Sequence, residues 1–286
     1  MKHESQNIVL HLNIAALLLG GTALFSKLIP YNAIDIIGYR SVICGITLLL
    51  VSIALRHKML IRNKSHLVLL IVCSALFTVH WAAYFHSMQL SSVAVGMISM
   101  FTFPVITVFL EPIITKTSLQ VRDILMGLFV LSGVMLLVPT FSLSDSTTAG
   151  VAFGVLSGFA VALRNVLVSK YLRNYSPFTI MTYHSLVTAL ILLPFSTISV
   201  AEIGNESWLL LLLLGTVFTA VPHSQKTYAL GFSSAKSVSM IISLQVVYGT
   251  LFAYILLSEP LTLNTFVGGS IILFAATYES VIGRKS

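Results

Sequence analysis

Polar side chains at helical spacing interrupt several long apolar runs of this sequence, and they are the residues that could do chemistry. In VPHSQKTYALG, His223 and Lys226 are three positions apart, as are Gln225 and Tyr228, so each pair shares one face of a helix. In TVHWAAYFHSMQ, His80 and Tyr84 are four apart, with Trp81 between them. Arg40 stands in DIIGYRSVICG, Arg164 in FAVALRNVLV and His184 in TYHSLVTAL. A guanidinium or ammonium holds an anionic group, and aromatic walls suit a ring or an apolar body. No H-E-x-x-H, P-loop or G-x-S-x-G accompanies these residues, and no clustered cysteine–histidine spacing does. The pattern therefore implies no catalytic constellation, no metal and no cofactor. It points to a binding site for a small molecule. Cations outnumber acids in the apolar runs, which favours an anionic or zwitterionic solute.

The elements that must position these groups follow from composition. Of the 286 residues, 57% are hydrophobic and only 9% are charged, against about 25% charged in a soluble domain. A soluble globule of this kind would expose large apolar patches and aggregate, so lipid is the solvent for most of the surface. The net charge of +7 sits in short loops and does not imply nucleic acid. Cys44 and Cys73 both fall in apolar runs and read as small core residues, with no disulfide framework. The polar start, MKHESQ, precedes a long apolar run without an obvious small-residue cleavage site, so the run is expected to be a first spanning helix.

A helix needs about 20 mostly apolar residues to cross a bilayer. Ten runs qualify: roughly 8–28, 33–55, 67–88, 92–115, 121–139, 149–171, 178–199, 207–230, 236–257 and 262–283. The expectation is an all-α integral membrane protein with ten transmembrane helices. Short connections carry the expected breakers Pro30, Pro139, Pro177 and Pro260. With both termini cytoplasmic, twelve of the sixteen basic residues fall on the inner side: Lys2, Arg56, Lys58, Arg62, Lys64, Lys116, Arg122, Lys170, Arg173, Lys236, Arg284 and Lys285. That agrees with the enrichment of Lys and Arg in cytoplasmic loops.

Four cations remain inside the runs. A cation at a helix centre costs on the order of 2.5–3.5 kcal/mol on insertion scales. Lys27 is close enough to a helix end to snorkel outward. Arg40 either lines a cavity, holds a structural pair or reaches the outer interface, and Arg164 is its counterpart from the inner side. Lys226 either snorkels inward or faces the cavity with its polar neighbours. A histidine in a helix bundle can equally be a bonded core residue, and aromatics near the surface can form an interfacial belt. It is the grouping that carries the functional reading. Glu111 pairs with Lys226 or Arg164, carries a coupling proton, or is an interfacial carboxylate ahead of Pro112. Pro104 breaks the fourth run near its middle and could serve gating. Small residues in GLFVLSG and GGSIILFAA suit close contact between helices, or between two copies in a homodimer.

The sequence also repeats itself faintly. A shift of 142 positions pairs Ser91-Ser92 with Ser233-Ser234, Trp81 with His223 and Tyr84 with Lys226, and a shift of 144 pairs Tyr39-Arg40-Ser41 with Tyr183-His184-Ser185. Five helices cross an odd number of times, so a second copy enters the membrane inverted. The expected units are residues 1–143 and 144–286, joined in one membrane domain with a substrate site near mid-membrane between them. The stretch WAAYFHSMQLSSVAVGMISMFTFPVITVFLEP and its partner ALGFSSAKSVSMIISLQVVYGTLFAYILLSEPLTLNTFVGG resemble EamA-type carriers of the drug/metabolite transporter superfamily. LSEPL, at Glu259 and Pro260, is similar to a turn of that family after its ninth helix. The resemblance implies two inverted five-helix repeats, alternating access, and export of amino acids, metabolites or toxic compounds across a bacterial inner membrane. It departs at Thr117, which stands where Glu259 repeats, and at Val246, where Pro104 repeats. The alternatives are an importer or exchanger of phosphorylated or nucleotide-linked metabolites, and a non-transporting membrane sensor or assembly factor.

Overall fold

The computed structural model describes residues 2–116, 118–119, 121–138, 142, 144–232, 238 and 241–282, and no strand occurs among them. The expectations placed on Thr117, Pro139, Ser233, Ser234, Lys236, Arg284 and Lys285 lie outside the described residues, as do those on the side chains of Lys2 and Arg122. The helices are α1 (Lys2–Thr22), α2 (Phe25–Leu28), α3 (Ala33–Ala54), α4 (Lys64–Leu90), α5 (Val93–Met100), α6 (Phe103–Thr115), α7 (Val121–Leu137), α8 (Ser146–Leu167), α9 (Pro177–Leu192), α10 (Asn205–Gly215), α11 (Val221–Phe232), α12 (Leu244–Leu256) and α13 (Leu263–Ile282).

Seven helical runs are long and apolar enough to cross a membrane: Leu10–Leu28, Ala33–Ala54, Lys64–Leu90, Val93–Thr115, Ser146–Leu172, Pro177–Phe195 and Asn205–Ala229. Each coincides with an expected span. The fifth, ninth and tenth expected spans are represented among the described residues by shorter apolar helices, Ile124–Leu137, Leu244–Leu256 and Leu263–Ala275. Large apolar side chains stand exposed around the bundle, among them Leu50, Ile53, Leu190, Leu209 and Leu263. Such a surface is stable against lipid tails and not against water.

Local chemistry sets the helix ends. Asn32, Asn63, Ser92 and Asp145 accept backbone amides at the starts of α3, α4, α5 and α8, satisfying donors that a helix N-terminus leaves unpaired. The fourth run breaks as expected: α5 stops at Met100, Phe101 and Thr102 form a turn, and Pro104 sits in the first turn of α6, where its missing N–H costs nothing. A second irregularity was not legible. Residues Thr216–Ala220 form a π turn between α10 and α11. In it the Phe218 carbonyl accepts the Thr22 hydroxyl at 2.6 Å, which ties α1 to this joint.

The packing pairs the two halves. α3 lies on α9, and α7 lies on α13; α4 and α5 pack on α8, as α11 and α12 pack on α1. The small residues act within the chain. A Cβ on Gly133 would stand 3.0 Å from the Gly268 carbonyl, and one on Gly268 would stand 2.7 Å from the Gly133 carbonyl. This close approach of α7 and α13 therefore requires glycine on both.

Each end of the bundle carries its own polar tie. At one end Asp35, at the start of α3, accepts from Asn32 Nδ2, Ser196 Oγ, Thr197 N and Thr197 Oγ1 at 2.6–2.8 Å. There too the Tyr39 hydroxyl donates to the Ile198 carbonyl at 2.7 Å. At the other end Thr179 and Tyr183 of α9 donate to the carbonyls of Lys58 and Met59 at 3.2 and 3.3 Å.

Candidate functional site

Three of the long helical runs bring six of the expected residues together. Arg40 lies seven residues into α3, roughly 10 Å along its axis, and is 1% exposed. Its guanidinium carbon sits 4.3 Å from the Trp81 ring centre and 4.9 Å from that of Phe85, both on α4. Arg40 Nε and Nη2 are buried and have no hydrogen-bond partner among the described residues. Trp81 meets His223 of α11 edge to face, 5.5 Å between centres, so the two residues related by the 142-position shift face each other. Lys226, one turn further along α11, places its ammonium 5.8 Å from the Phe103 ring.

These groups line one small cavity. Arg40, His80, Trp81, Tyr84, His223 and Lys226 form its wall together with Thr22, Phe85, Phe103 and Gln245, among others, and among the described residues the lining contains no carboxylate. Its volume of about 40 Å³ has room for water and not for a metabolite, so a solute enters only when the helices rearrange. A larger groove of about 320 Å³, lined by Val105, Ile106, Phe109, Leu128, Leu131 and Val134, opens on the outer surface between α6 and α7. Its described lining carries no charged group, and it belongs to the lipid-facing exterior.

Arg164 and His184 stand apart from that wall, behind Phe77. Arg164 Nε donates to His184 Nε2 at 3.0 Å, and Arg164 Nη1 donates to Asn165 Oδ1 at 3.0 Å. Ser74 Oγ donates to the Leu70 carbonyl at 2.7 Å, so it accepts from His184 Nδ1 at 2.8 Å. That leaves His184 Nε2 bare to receive Arg164. The Phe77 ring lies 4.8 Å from the Arg164 guanidinium, 5.0 Å from His184, 5.6 Å from His223 and 4.4 Å from Trp81. It is thus the partition between the two polar groups.

Two expected residues lie elsewhere. Glu111 is exposed on α6 and makes no ion pair with Lys226 or Arg164 among the described residues, so the pairing considered for it does not form. Pro104 is buried at the helix break, next to Phe103 and not itself in the cavity wall. Lys27 reaches outward, donating to the Gln89 and Ser91 carbonyls. Sequence reasoning passed over Phe77, Ser157, Phe103 and Gln245. Phe77 had a signal: positions 77, 80, 81 and 84 follow the stripe of one helix face. No group of three or more His, Cys, Asp or Glu among the described residues is arranged to hold a metal ion.

Comparison with known proteins places this arrangement. The EamA-like transporter family matches the sequence twice, over residues 7–138 and 148–278. The chain belongs to the EamA-like transporter family. It is an integral membrane protein of that family, as the exposed apolar belt and the spanning helices require. An "Uncharacterized transporter" of Archaeoglobus fulgidus is 28% identical to this EamA-like protein over 197 residues, 67% of this chain and 68% of its own. "Uncharacterized transporter YxxF" of Bacillus subtilis is 22% identical over 189 residues, 64% of this chain and 60% of its own. A protein of known crystal structure shares the fold with a TM-score of 0.68 at 14% identity, over 98% of each chain.

Proposed function

We propose that this EamA-like protein is a secondary transporter that exports amino acids or related small metabolites by alternating access. The bilayer is a bacterial inner membrane, and both termini are cytoplasmic. In this reading ten helices span the membrane in two inverted repeats, 1–143 and 144–286. The double match to the family and the helix packing support it. Exchanging the halves turns the α4–α8 contact into α11–α1, turns α6–α8 into α12–α1, and maps α3–α9 and α7–α13 onto themselves.

The observation that carries the proposal is Arg40. A buried guanidinium with two nitrogens unpaired among the described residues, on a cavity wall shared with Lys226 and no described acid, is incomplete without an anion. Buried charges are paired or costly, and a solute carboxylate would complete this one. Trp81 and Tyr84 would stack on the body of the solute. The test is transport in proteoliposomes, with candidate solutes taken from a growth screen of overexpressing cells against toxic amino acids and analogues. Arg40→Met and Lys226→Met should each abolish flux while membrane insertion and the folded elution profile persist. Wild-type flux in both variants removes the cations from the site.

The absence of any carboxylate from a wall with two cations favours a second reading, an exchanger of phosphorylated or nucleotide-linked metabolites. Strict one-for-one counterflow would select it. A non-transporting sensor would bind a solute without moving it.

A further inference from the structure

Among the described residues the cavity has two cations for an anion and no acid for a cation, which leaves open what receives the positive end of a zwitterion. His80 answers this through its hydrogen bonds. Its Nδ1 lies 2.7 Å from Ser157 Oγ and 3.3 Å from the Ser157 carbonyl oxygen. Ser157 Oγ in turn donates to the His80 carbonyl at 3.0 Å. A carbonyl only accepts, and with the single hydroxyl proton of Ser157 placed on the His80 carbonyl the hydroxyl oxygen accepts as well. This hydrogen-bond pattern assigns the ring proton to Nδ1 and leaves Nε2 bare. His80 is on the cavity wall, Nδ1 is tied back to α8, and Nε2 has no partner among the described residues.

We propose that His80 offers its bare Nε2 to the cavity as the acceptor for the ammonium group of an amino-acid substrate, and that Ser157 is the positioning residue that fixes this form. The proposal rests on the reading of the cavity as the substrate site and deepens it. A neutral acceptor beside two cations is selective. It takes an ammonium only when the same molecule brings a carboxylate to Arg40 and Lys226, so a zwitterion is preferred over a plain carboxylate and over a plain cation. Gln245 brings an amide to the wall, and its side chain is able to turn either way, whereas the imidazole is locked from the opposite half of the molecule.

The experiment has two arms, both on the full chain. In the first, ¹⁵N-histidine NMR of the detergent-solubilised protein reads the His80 tautomer, with the signal assigned by its loss in His80→Gln. The expected result is a protonated Nδ1 and an unprotonated Nε2, with mixed tautomers in Ser157→Ala. A protonated Nε2 in the unmutated protein overturns the proposal. In the second, proteoliposomes are loaded with phenylalanine or with 3-phenylpropionate, the same molecule without its amine. The unmutated protein should move phenylalanine faster by on the order of tenfold, the effect of one charge-assisted hydrogen bond. His80→Leu should bring that ratio to about one, Ser157→Ala should lower it, and His80→Gln, which keeps an acceptor at this reach, should retain it. An unchanged ratio in His80→Leu, or equal rates in the unmutated protein, overturns the role of His80 and leaves the anion site standing. If neither solute moves, the substrate site and this proposal fall together.

Discussion

Arg40 is held by aromatic faces where a soluble protein would supply an acid. A guanidinium over Trp81 at 4.3 Å and Phe85 at 4.9 Å is stabilised by the ring quadrupoles, an effect of about 2 kcal/mol when desolvated, yet its hydrogen-bonding capacity stays unspent. That is the condition a transient anion site needs: the cation is tolerated when empty and improved when filled. Trp81→Phe keeps a ring and should retain most of the affinity for a carboxylate solute. Trp81→Ala removes the better face and should weaken it by roughly 30-fold, the equivalent of about 2 kcal/mol. Binding of the solute identified by the growth screen, measured by scintillation proximity, checks this, and equal affinities in the two variants would show that the ring is only packing. Arg40, Lys226 and the histidines were legible in the sequence because charge and imidazole are conspicuous in an apolar run. Ser157 and Phe77 were not, because a serine or phenylalanine in a membrane helix is ordinary until its partner on another helix is known.

Elements were legible where composition alone decides them. The second run, 33–55, became Ala33–Ala54, and the proline in MFTFPVITVF marked a true break, since α6 starts at Phe103. The π turn at Thr216–Ala220 had no such mark: LLLLLLGTVFTA reads as one uninterrupted helix, and the turn lies against α1 and α3, contacts that the local sequence does not show. The glycines show the same limit. GLFVLSG and GGSIILFAA announced close packing but not the partner, and the structure turns an interface of two helices, or of two chains, into the contact of Gly133 with Gly268. Association of helices in lipid depends on such approach because no hydrophobic force drives it. Gly268→Val should force α7 and α13 apart and lower the temperature of unfolding in detergent by several degrees, since overpacking typically costs about 1–3 kcal/mol. Gly204, with nothing within 4 Å of an added Cβ, supplies the control, and Gly204→Ala should be close to neutral. Fluorescence-detected size exclusion after heating measures both, and an unshifted Gly268→Val would mean that the helices slide apart without loss.

At the scale of the whole molecule, a cavity of about 40 Å³, too small for a metabolite, lies between two tied ends. The ties differ in strength. Asp35 gathers four donors at 2.6–2.8 Å, and hydrogen bonds to a charged group contribute about 1.5–3 kcal/mol each. At the opposite end the ties between α9 and the Lys58–Met59 segment are hydroxyl–carbonyl bonds of 3.2 and 3.3 Å, weaker than the Asp35 bonds by both length and charge, beside a Lys170–Ile114 carbonyl bond of 2.6 Å. In the proposed orientation the strong tie is periplasmic. Opening there is a two-state equilibrium, and every 1.4 kcal/mol removed from the closed state shifts it about tenfold. Thr22 on the cavity wall can report that opening once the native thiols are removed. In a Cys44→Ala, Cys73→Ala, Thr22→Cys background, Asp35→Ala should raise the rate of labelling by a membrane-impermeant maleimide, added outside whole cells, by tenfold or more. Tyr183→Phe, which loosens the other end, should leave that rate equal or lower it, because it favours the state open to the opposite side. If Asp35→Ala leaves the labelling rate unchanged, its network fastens only a loop. If Tyr183→Phe accelerates labelling from outside instead, the ends have been assigned to the wrong sides of the membrane.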